Sequence, residues 1–493
     1  MLKPSLNELQ KFTDKYNIVP VCKEIFSDVR TPINVLLALK HISSTTYLLE
    51  SAETNERWGR YSFLGFNPSL EISCKNHQMT IKGAVTTTFK TDNPAQEIRK
   101  ILNQYKSPKF DFLPTFTGGL VGYFAYEYIR YSEPKLDFSD SEDISFNDVD
   151  LMLFDKVIAF DHYKKKIILI VNIRTDDLVK NYNNAERELN ELAALVAKGT
   201  KAQIPGGRLL SEFKSEFTPE EYEQLVRRTQ NYIKEGDIFQ AVPSNRKEAD
   251  FTGSLLNAYR VLRTLNPSPY MFYLSSKDME LTGASPETLI KLQDSTLSTF
   301  PIAGTLPRGK TAEEDAKLEQ LLIHDEKELA EHNMLVDLGR NDLGKISQFN
   351  SVKVTSFHKI EKFSHVMHIT STVEGKIRPE FDALDAVEAA LPAGTLSGAP
   401  KIRAMEILHE LEKSPRGIYG GAIGYLDFSG NMDVCIGIRM AVAKGGKVFV
   451  RSGGGVVKDS VPQNEYKETV NKAQSMIEAI KKAQEVNDYD FAD

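Results

Sequence analysis

An α+β fold built on large, mainly antiparallel sheets is what the sequence predicts, and three observations predict it. Short apolar runs separated by turns fill residues 20 to about 175. Strand and helix patterns mix from 218 to about 484. Nowhere does the regular strand–helix alternation of a doubly wound sheet appear. The first strands expected are TTYLLES, RYSFLGF, LEISCKN and MTIKGAV, each bounded by polar or turn residues. GGLVGYFAY, VIAFDHY and KKIILIVNI complete the set. A helical, acidic stretch follows (DDLVKNYNNAERELNELAALVAKG), and KGTKAQIPGGRLLSEFKSEFT then has the Pro/Gly and charge mixture of a linker. This divides the chain into residues 1–205 and 218–485. The second region opens with an amphipathic helix at Thr218-Pro219, where Glu221 stands three residues after Thr218 as in a capping box.

The 493 residues allow two domains or one large composite one. A net charge of -7 argues against nucleic acid as a partner, and no Lys/Arg run suggests otherwise. Cys22, Cys74 and Cys435 are too few and too scattered for a disulfide framework or a zinc site. No apolar stretch reaches membrane-spanning length, and MLKPSLNELQKF lacks a signal or transit pattern. A cytoplasmic location is the expectation.

Chemistry is signalled by two carboxylate pairs, Glu328/Glu331 and Glu465/Glu468. In the helix DEKELAEHNMLVDLGRNDLGKIS, positions 326, 330, 333, 337 and 341 form a polar stripe. Glu328 and Glu331 lie on the opposite face, with Leu335 and Leu338. Carboxylates turned inward need a partner, and a divalent cation is the usual one. Ser460 and Gln463 read as a capping box before the second pair, with Pro462 in the first helical turn. Two such pairs suggest one hard-metal site shared by two helices. Three glycine-rich segments accompany them. LPAGTLSGAPK (391–401) is a turn able to cradle an anion at a helix start, RSGGGVV (451–457) follows a strand, and PIAGTLPRG (301–309) is a further turn without P-loop spacing. Arg439, alone in the apolar strand IGIRMAV, reads as functional or paired.

These segments occur in order with LLES, DIFQAVPSNR, NPSPYMFYL, GASPETL, HVMHITS and RGIYGGAIGY. The chain from about residue 20 to 480 thereby resembles the anthranilate synthase component I family of chorismate-utilising enzymes. The resemblance implies two large antiparallel sheets in an α/β sandwich with helices outside. It further implies magnesium, with Glu331 and Glu468 as the closest ligands and Glu328 and Glu465 completing the shell. Glu328 is also implied as the acid for the departing hydroxyl, and His368 as the residue of pyruvate elimination. Tyr419 and Arg439 should hold the enolpyruvyl carboxylate. Gly453, Gly454 and Gly455, with Gly304, Thr305 and Thr395, should line the same pocket.

Gln240 stands where water-activating relatives carry a lysine base, so ammonia, already a nucleophile, fits better than water. Ala303 stands where aminodeoxychorismate synthases typically carry the attacking lysine. Aminodeoxychorismate synthase and 2-amino-2-deoxyisochorismate synthase remain the alternatives within the class, and a silent tryptophan-binding regulator is the alternative outside it. No amidotransferase triad is visible, so the resemblance implies a separate glutamine amidotransferase subunit. LLES and NPSPYMF resemble a tryptophan feedback site, with Glu50 and Ser51 toward the amino acid's polar end and Pro269, Tyr270 and Met271 in its pocket. Arg451-Ser452 replaces the more usual Gln-Ala before the glycines.

Overall fold

The computed structural model describes residues 2–51, 59–136, 138, 146–362 and 366–486; of the HVMHITS motif, His365 lies outside this set. Among the described residues the chain forms two 12-stranded sheets. All seven apolar runs become strands, joined by Ile18–Phe26, Thr86–Lys90 and Val149–Phe154, which the alternation did not single out. The sheets stack face to face with helices outside.

Both sheets draw strands from both sides of the 205–217 segment. In the first, Thr46–Glu50 pairs with Tyr270–Ser275, Glu50 opposite Met271. In the second, Gly119–Phe124 pairs with Ala422–Asp427. The two sequence regions therefore share one sandwich. The segment between them is itself partly structured, for Arg208–Leu209 and Lys214–Ser215 pair along Ser244–Thr252.

Alternation along each strand separates two cores. Tyr47 and Phe272 point between the sheets, where Tyr47 meets Phe154 edge-on at 4.7 Å and Phe116 lies 4.4 Å from Tyr425. Leu48 and Tyr273 point the other way, beneath the helices Pro32–Ile42, Leu178–Lys198, Leu256–Leu265 and Pro462–Ala483. Truncating a buried ring such as Phe154 to alanine costs about 3–5 kcal/mol in such a core.

The helix Pro219–Glu235 starts with the expected Thr218/Glu221 capping box. The one expected at Ser460/Gln463 does not form. Val461 is the N-cap, and the Ser460 hydroxyl instead accepts the Val457 N–H at 3.1 Å.

Candidate active site

The helix Glu326–Gly344 is capped by Asp325, whose carboxylate accepts the N–H groups of Lys327 and Glu328 at 3.0 and 3.1 Å. Its expected polar stripe is exposed. Its buried side is His332, Leu335, Val336 and Leu343. Glu328 is half-buried, whereas Glu331, expected on the interior face, is exposed at its margin. Keeping one of two neighbouring carboxylates in water avoids a second desolvation cost. Burial, then Glu331 and Asp325, raise the Glu328 carboxyl above its ordinary range. His332 Nε2 lies 2.6 Å from Ser371 Oγ, fixing this helix to the strand Val366–Lys376, which carries His368.

PIAGTLP is a strand, Ile302–Pro307, and not the expected turn. It pairs with Val366–Lys376 but is irregular between Ala303 and Thr305. Gly304, at φ 64°, makes the bulge, a left-handed position that a side chain would strain. A Cβ there would also lie 2.9 Å from Leu322 and 3.3 Å from Glu328 Oε2, so the glycine brings backbone against the carboxylate. The bulge sets the Gly304 carbonyl 2.9 Å and the Thr305 hydroxyl 3.0 Å from His368 Nδ1. The carbonyl requires the proton on Nδ1 and turns Nε2 into the basic nitrogen. Burial lowers the His368 pKa, with the carbonyl contact opposing.

The strand Lys447–Gly453 delivers the second glycine segment. Side chains at Gly453, Gly454 and Gly455 would begin 3.0 Å from the Tyr419 hydroxyl, 3.0 Å from Glu465 Oε2 and 2.7 Å from Gln240 Nε2. The glycines thus gather Tyr419, Glu465 and Gln240 around one stretch of backbone. Gln240 is buried on a short ladder in which Gln240–Ala241 pairs with Gly398–Ala399; part of the third glycine segment is therefore engaged in pairing. Burial pushes the Tyr419 hydroxyl up to about 12, so it stays a donor at neutral pH. Glu465, in the first turn of Pro462–Ala483, is raised by burial and by Glu468. Glu468 is exposed and pairs with Lys472 at 2.7 Å. Arg451, the departure before the glycines, is buried against Glu216 at 3.0 Å and the Ser414 hydroxyl at 2.7 Å.

Arg439 is not within a strand. It occupies the crossing between Met432–Ile436 of one sheet and Met440–Lys444 of the other, at φ 48°. A non-glycine residue held there marks a constrained position of the kind found at functional sites. Its neighbour in charge is Glu287, which sequence reasoning did not assign. Glu287 accepts the Thr395 hydroxyl at 3.1 Å. Burial pushes its carboxyl up to about 7, against that hydrogen bond and the positive charges of Lys472 and Arg439. Lys472, also unassigned, reaches the Gly453 carbonyl at 3.2 Å. Its place four residues after Glu468 was a readable signal; Glu287, between Pro286 and the strand Thr288–Gln293, offered no periodic one.

Arg439, Lys472 and Thr395 thus meet at Glu287, Lys472 reaches Gly453 beside Tyr419, and Gly304 and Thr305 meet at His368. A family model described as chorismate binding enzyme matches residues 45–478. The chain belongs to that family. Within the chorismate-binding enzymes it stands with anthranilate synthase component I. It is 43% identical to anthranilate synthase component 1 of Aquifex aeolicus over 98% of this chain and 99% of that one. The crystal structure of anthranilate synthase component I from Streptococcus pneumoniae TIGR4 superposes with a TM-score of 0.74 at 37% identity, covering 92% of this chain and 98% of that one. MenF, the menaquinone-specific isochorismate synthase of Escherichia coli, shares the fold at 19% identity, with a TM-score of 0.67 over 96% of this chain and 98% of that one.

For this member of the chorismate-binding enzymes, the four glutamates fit a hard divalent cation in kind. Glu468 raises both Glu328 and Glu465, so the two helix starts face each other electrostatically. Glu465 Oε2 is buried without a hydrogen-bond partner. All-oxygen carboxylate donors are those that Mg2+ prefers. Among the described residues no three acidic, His or Cys side chains are gathered closely enough to hold a metal.

A separate cavity of about 540 Å³ lies between the sheets, lined by Glu50, Ser51, Pro269, Tyr270 and Met271 together with Tyr61, Lys291 and Asp433. That volume suits one small ligand. The Tyr270 hydroxyl donates to Asp433 and lies 2.8 Å from Thr288 Oγ1. The Glu50 side chain, expected to meet a ligand's polar end, faces the helical side instead. Its carboxylate takes the Tyr259 hydroxyl at 2.6 Å and pairs with Arg263 at 3.1 Å. Strand alternation sends Glu50 and Met271 to that side with Leu48, so at these two positions the cavity is bordered chiefly by backbone.

Proposed function

We propose that the chain is an Mg2+-dependent carbon–oxygen lyase, the component of an anthranilate synthase that converts chorismate and ammonia into anthranilate, pyruvate and water. The observation that carries this is the grouping of Arg439, Lys472 and Thr395 around a buried carboxyl, Glu287, poised near neutrality, with Lys472 reaching the Gly453 carbonyl beside Tyr419. Chorismate is a dicarboxylate, and a guanidinium fork with a phenol donor suits its enolpyruvyl carboxylate. Ammonia adds at C2 while the C4 hydroxyl leaves as water. The C2 hydrogen and the enolpyruvyl group then depart, which makes the ring aromatic and releases pyruvate.

Among the raised carboxyls, Glu287 fits the proton donor to the leaving hydroxyl better than Glu328. It is held by Thr395 and titrates near the working pH, where general acids are most effective. His368, with Nδ1 committed to the Gly304 carbonyl, presents Nε2 for the proton removed in pyruvate elimination. Gln240 cannot deprotonate water, which favours ammonia as nucleophile, and Ala303 leaves no amine to attack the ring. Glu331 and Glu468, with Glu328 and Glu465, would hold Mg2+, which supplies charge compensation for the ring carboxylate when bound. L-Tryptophan would occupy the inter-sheet cavity as feedback inhibitor, and the protein would act in the cytoplasm with a glutamine amidotransferase subunit supplying ammonia. The three buried thiols offer no activated nucleophile; burial raises Cys22 and Cys74, to about 12 and about 11, and lifts Cys435 as well. The purified chain should therefore turn over chorismate with an ammonium salt at alkaline pH but not with glutamine until that subunit is added. Glutamine-supported synthesis by the chain alone would overturn the division of labour.

A further inference from the structure

Glu412, at the end of the helix Lys401–Leu411, pairs with Arg416 inside the protein, the two side chains only 5% and 2% exposed. Arg416 Nε donates to Glu412 Oε2 at 2.8 Å and Nη2 to Oε1 at 2.6 Å, a two-point contact that a planar guanidinium makes and an ammonium does not. The other donors leave the pair. Nη2 also reaches the Val242 carbonyl at 2.6 Å, and Nη1 bonds to the Leu396 carbonyl. Glu412 Oε1 in turn accepts both the N–H and the hydroxyl of Ser244, at 2.8 and 2.9 Å. The turn itself is fastened by Glu127, which accepts the N–H groups of Arg416 and Gly417 at 2.7 and 3.0 Å.

Each anchor adjoins a different wall of the site. Val242 is two residues after Gln240, Leu396 follows Thr395, Ser244 pairs with Gly453, and Tyr419 is three residues beyond Arg416. Backbone contacts also join these segments, among them the Gln240–Ala241 ladder with Gly398–Ala399, the Val242 N–H on the Ser397 carbonyl at 3.1 Å and the Ala241–Val456 bridge; the Glu412–Arg416 pair adds side-chain anchors on Val242, Leu396 and Ser244 at once. A buried ion pair is a weak source of stability, because apolar side chains of similar volume often serve as well. What this one supplies is fixed spacing between segments distant in sequence.

We propose that Arg416, oriented by Glu412, is a positioning residue that sets the separation of the Gln240, Thr395 and Tyr419 walls of the chorismate pocket. This rests on the reading that those residues line that pocket. Arg416→Lys keeps a cation beside Glu412 but cannot also hold both carbonyls. Glu412→Gln/Arg416→Met removes both charges together and keeps an acceptor for Ser244. Each variant should be assayed with chorismate, Mg2+ and ammonium well below its own melting temperature, with rates expressed per folded molecule. The expected result is a fall in kcat/KM of at least tenfold in both, with a raised KM for chorismate. A role in stability alone would lower the melting temperature and leave the rate per folded molecule unchanged. Either folded variant within threefold of wild-type kcat/KM would overturn the proposal. Arg439→Met separates the two readings. If it retains wild-type turnover, the pocket assignment has failed; if it is inactive while Arg416→Lys is not, the positioning role has failed.

Discussion

Replacing Glu287 by glutamine tests the proton-donor assignment through both stability and rate. The carboxyl's ordinary value of 4.5 rises to about 7 in the folded protein. A folded-state pKa raised in this way means the native state binds the proton more tightly than the unfolded chain. Stability associated with the protonated carboxyl is therefore full below about pH 4.5 and is lost as pH rises through about 7. At about 1.4 kcal/mol per pH unit, the shift corresponds to at most ~3.5 kcal/mol of pH-dependent stability. Glutamine is neutral throughout and nearly isosteric. Glu287→Gln should match wild type near pH 5 and exceed it near pH 8, as read by denaturant melts at the two pH values. Groups such as Asp150, also raised by burial, are common to both proteins and cancel. Activity should move the other way, with kcat falling by about 10²–10⁴, the usual contribution of a positioned acid. The reasoning is refuted if the variant keeps wild-type kcat, or if its stability difference from wild type is the same at both pH values.

Glu331→Gln or Glu468→Gln should abolish turnover at ordinary Mg2+ with little loss of melting temperature, because removing one charge relieves repulsion among the facing carboxylates; wild-type rates would sink the ligand assignment. Ser51→Phe should intrude on the inter-sheet cavity and weaken tryptophan inhibition at least tenfold, about 1.4 kcal/mol of coupling. Its rate without tryptophan should barely change, and full retained sensitivity in steady-state assays would count against that cavity as the inhibitor's site. Gly304→Ala should lower kcat/KM by at least tenfold, since the added methyl meets Leu322 at 2.9 Å at a left-handed position and must shift the bulge that orients His368. An unchanged kcat/KM would show that the bulge is incidental.

Patterns that depend on neighbours in sequence were legible. The period-2 runs became strands, and Thr218 with Glu221 became a capping box, one Glu221 carboxylate oxygen accepting from the Thr218 N–H and the other from Lys413. Ser460 does not cap because its hydroxyl accepts the Val457 N–H and Val461 takes the N-cap position. The polar stripe of Glu326–Gly344 was placed correctly. The margin of its buried side was not, because helical period alone cannot decide whether Glu331 or His332 enters the interior. Long-range facts were beyond local pattern. The interleaving of both halves in each sheet is set by strand pairing such as Glu50 with Met271. The left-handed break at Arg439 hides within a run that reads as one strand. Glu287 gains its chemical character only when the fold buries it, against the opposing pull of Thr395, Lys472 and Arg439.

The product that the chain makes from chorismate is the most direct test. Purified protein should be incubated with chorismate, Mg2+ and 15N-labelled ammonium, and the products resolved by chromatography and mass. The expected result is anthranilate carrying one 15N ortho to the carboxylate, with one pyruvate released per chorismate consumed. Accumulation of 4-amino-4-deoxychorismate, of isochorismate, or of 2-amino-2-deoxyisochorismate as an end product that retains its enolpyruvyl group would contradict it.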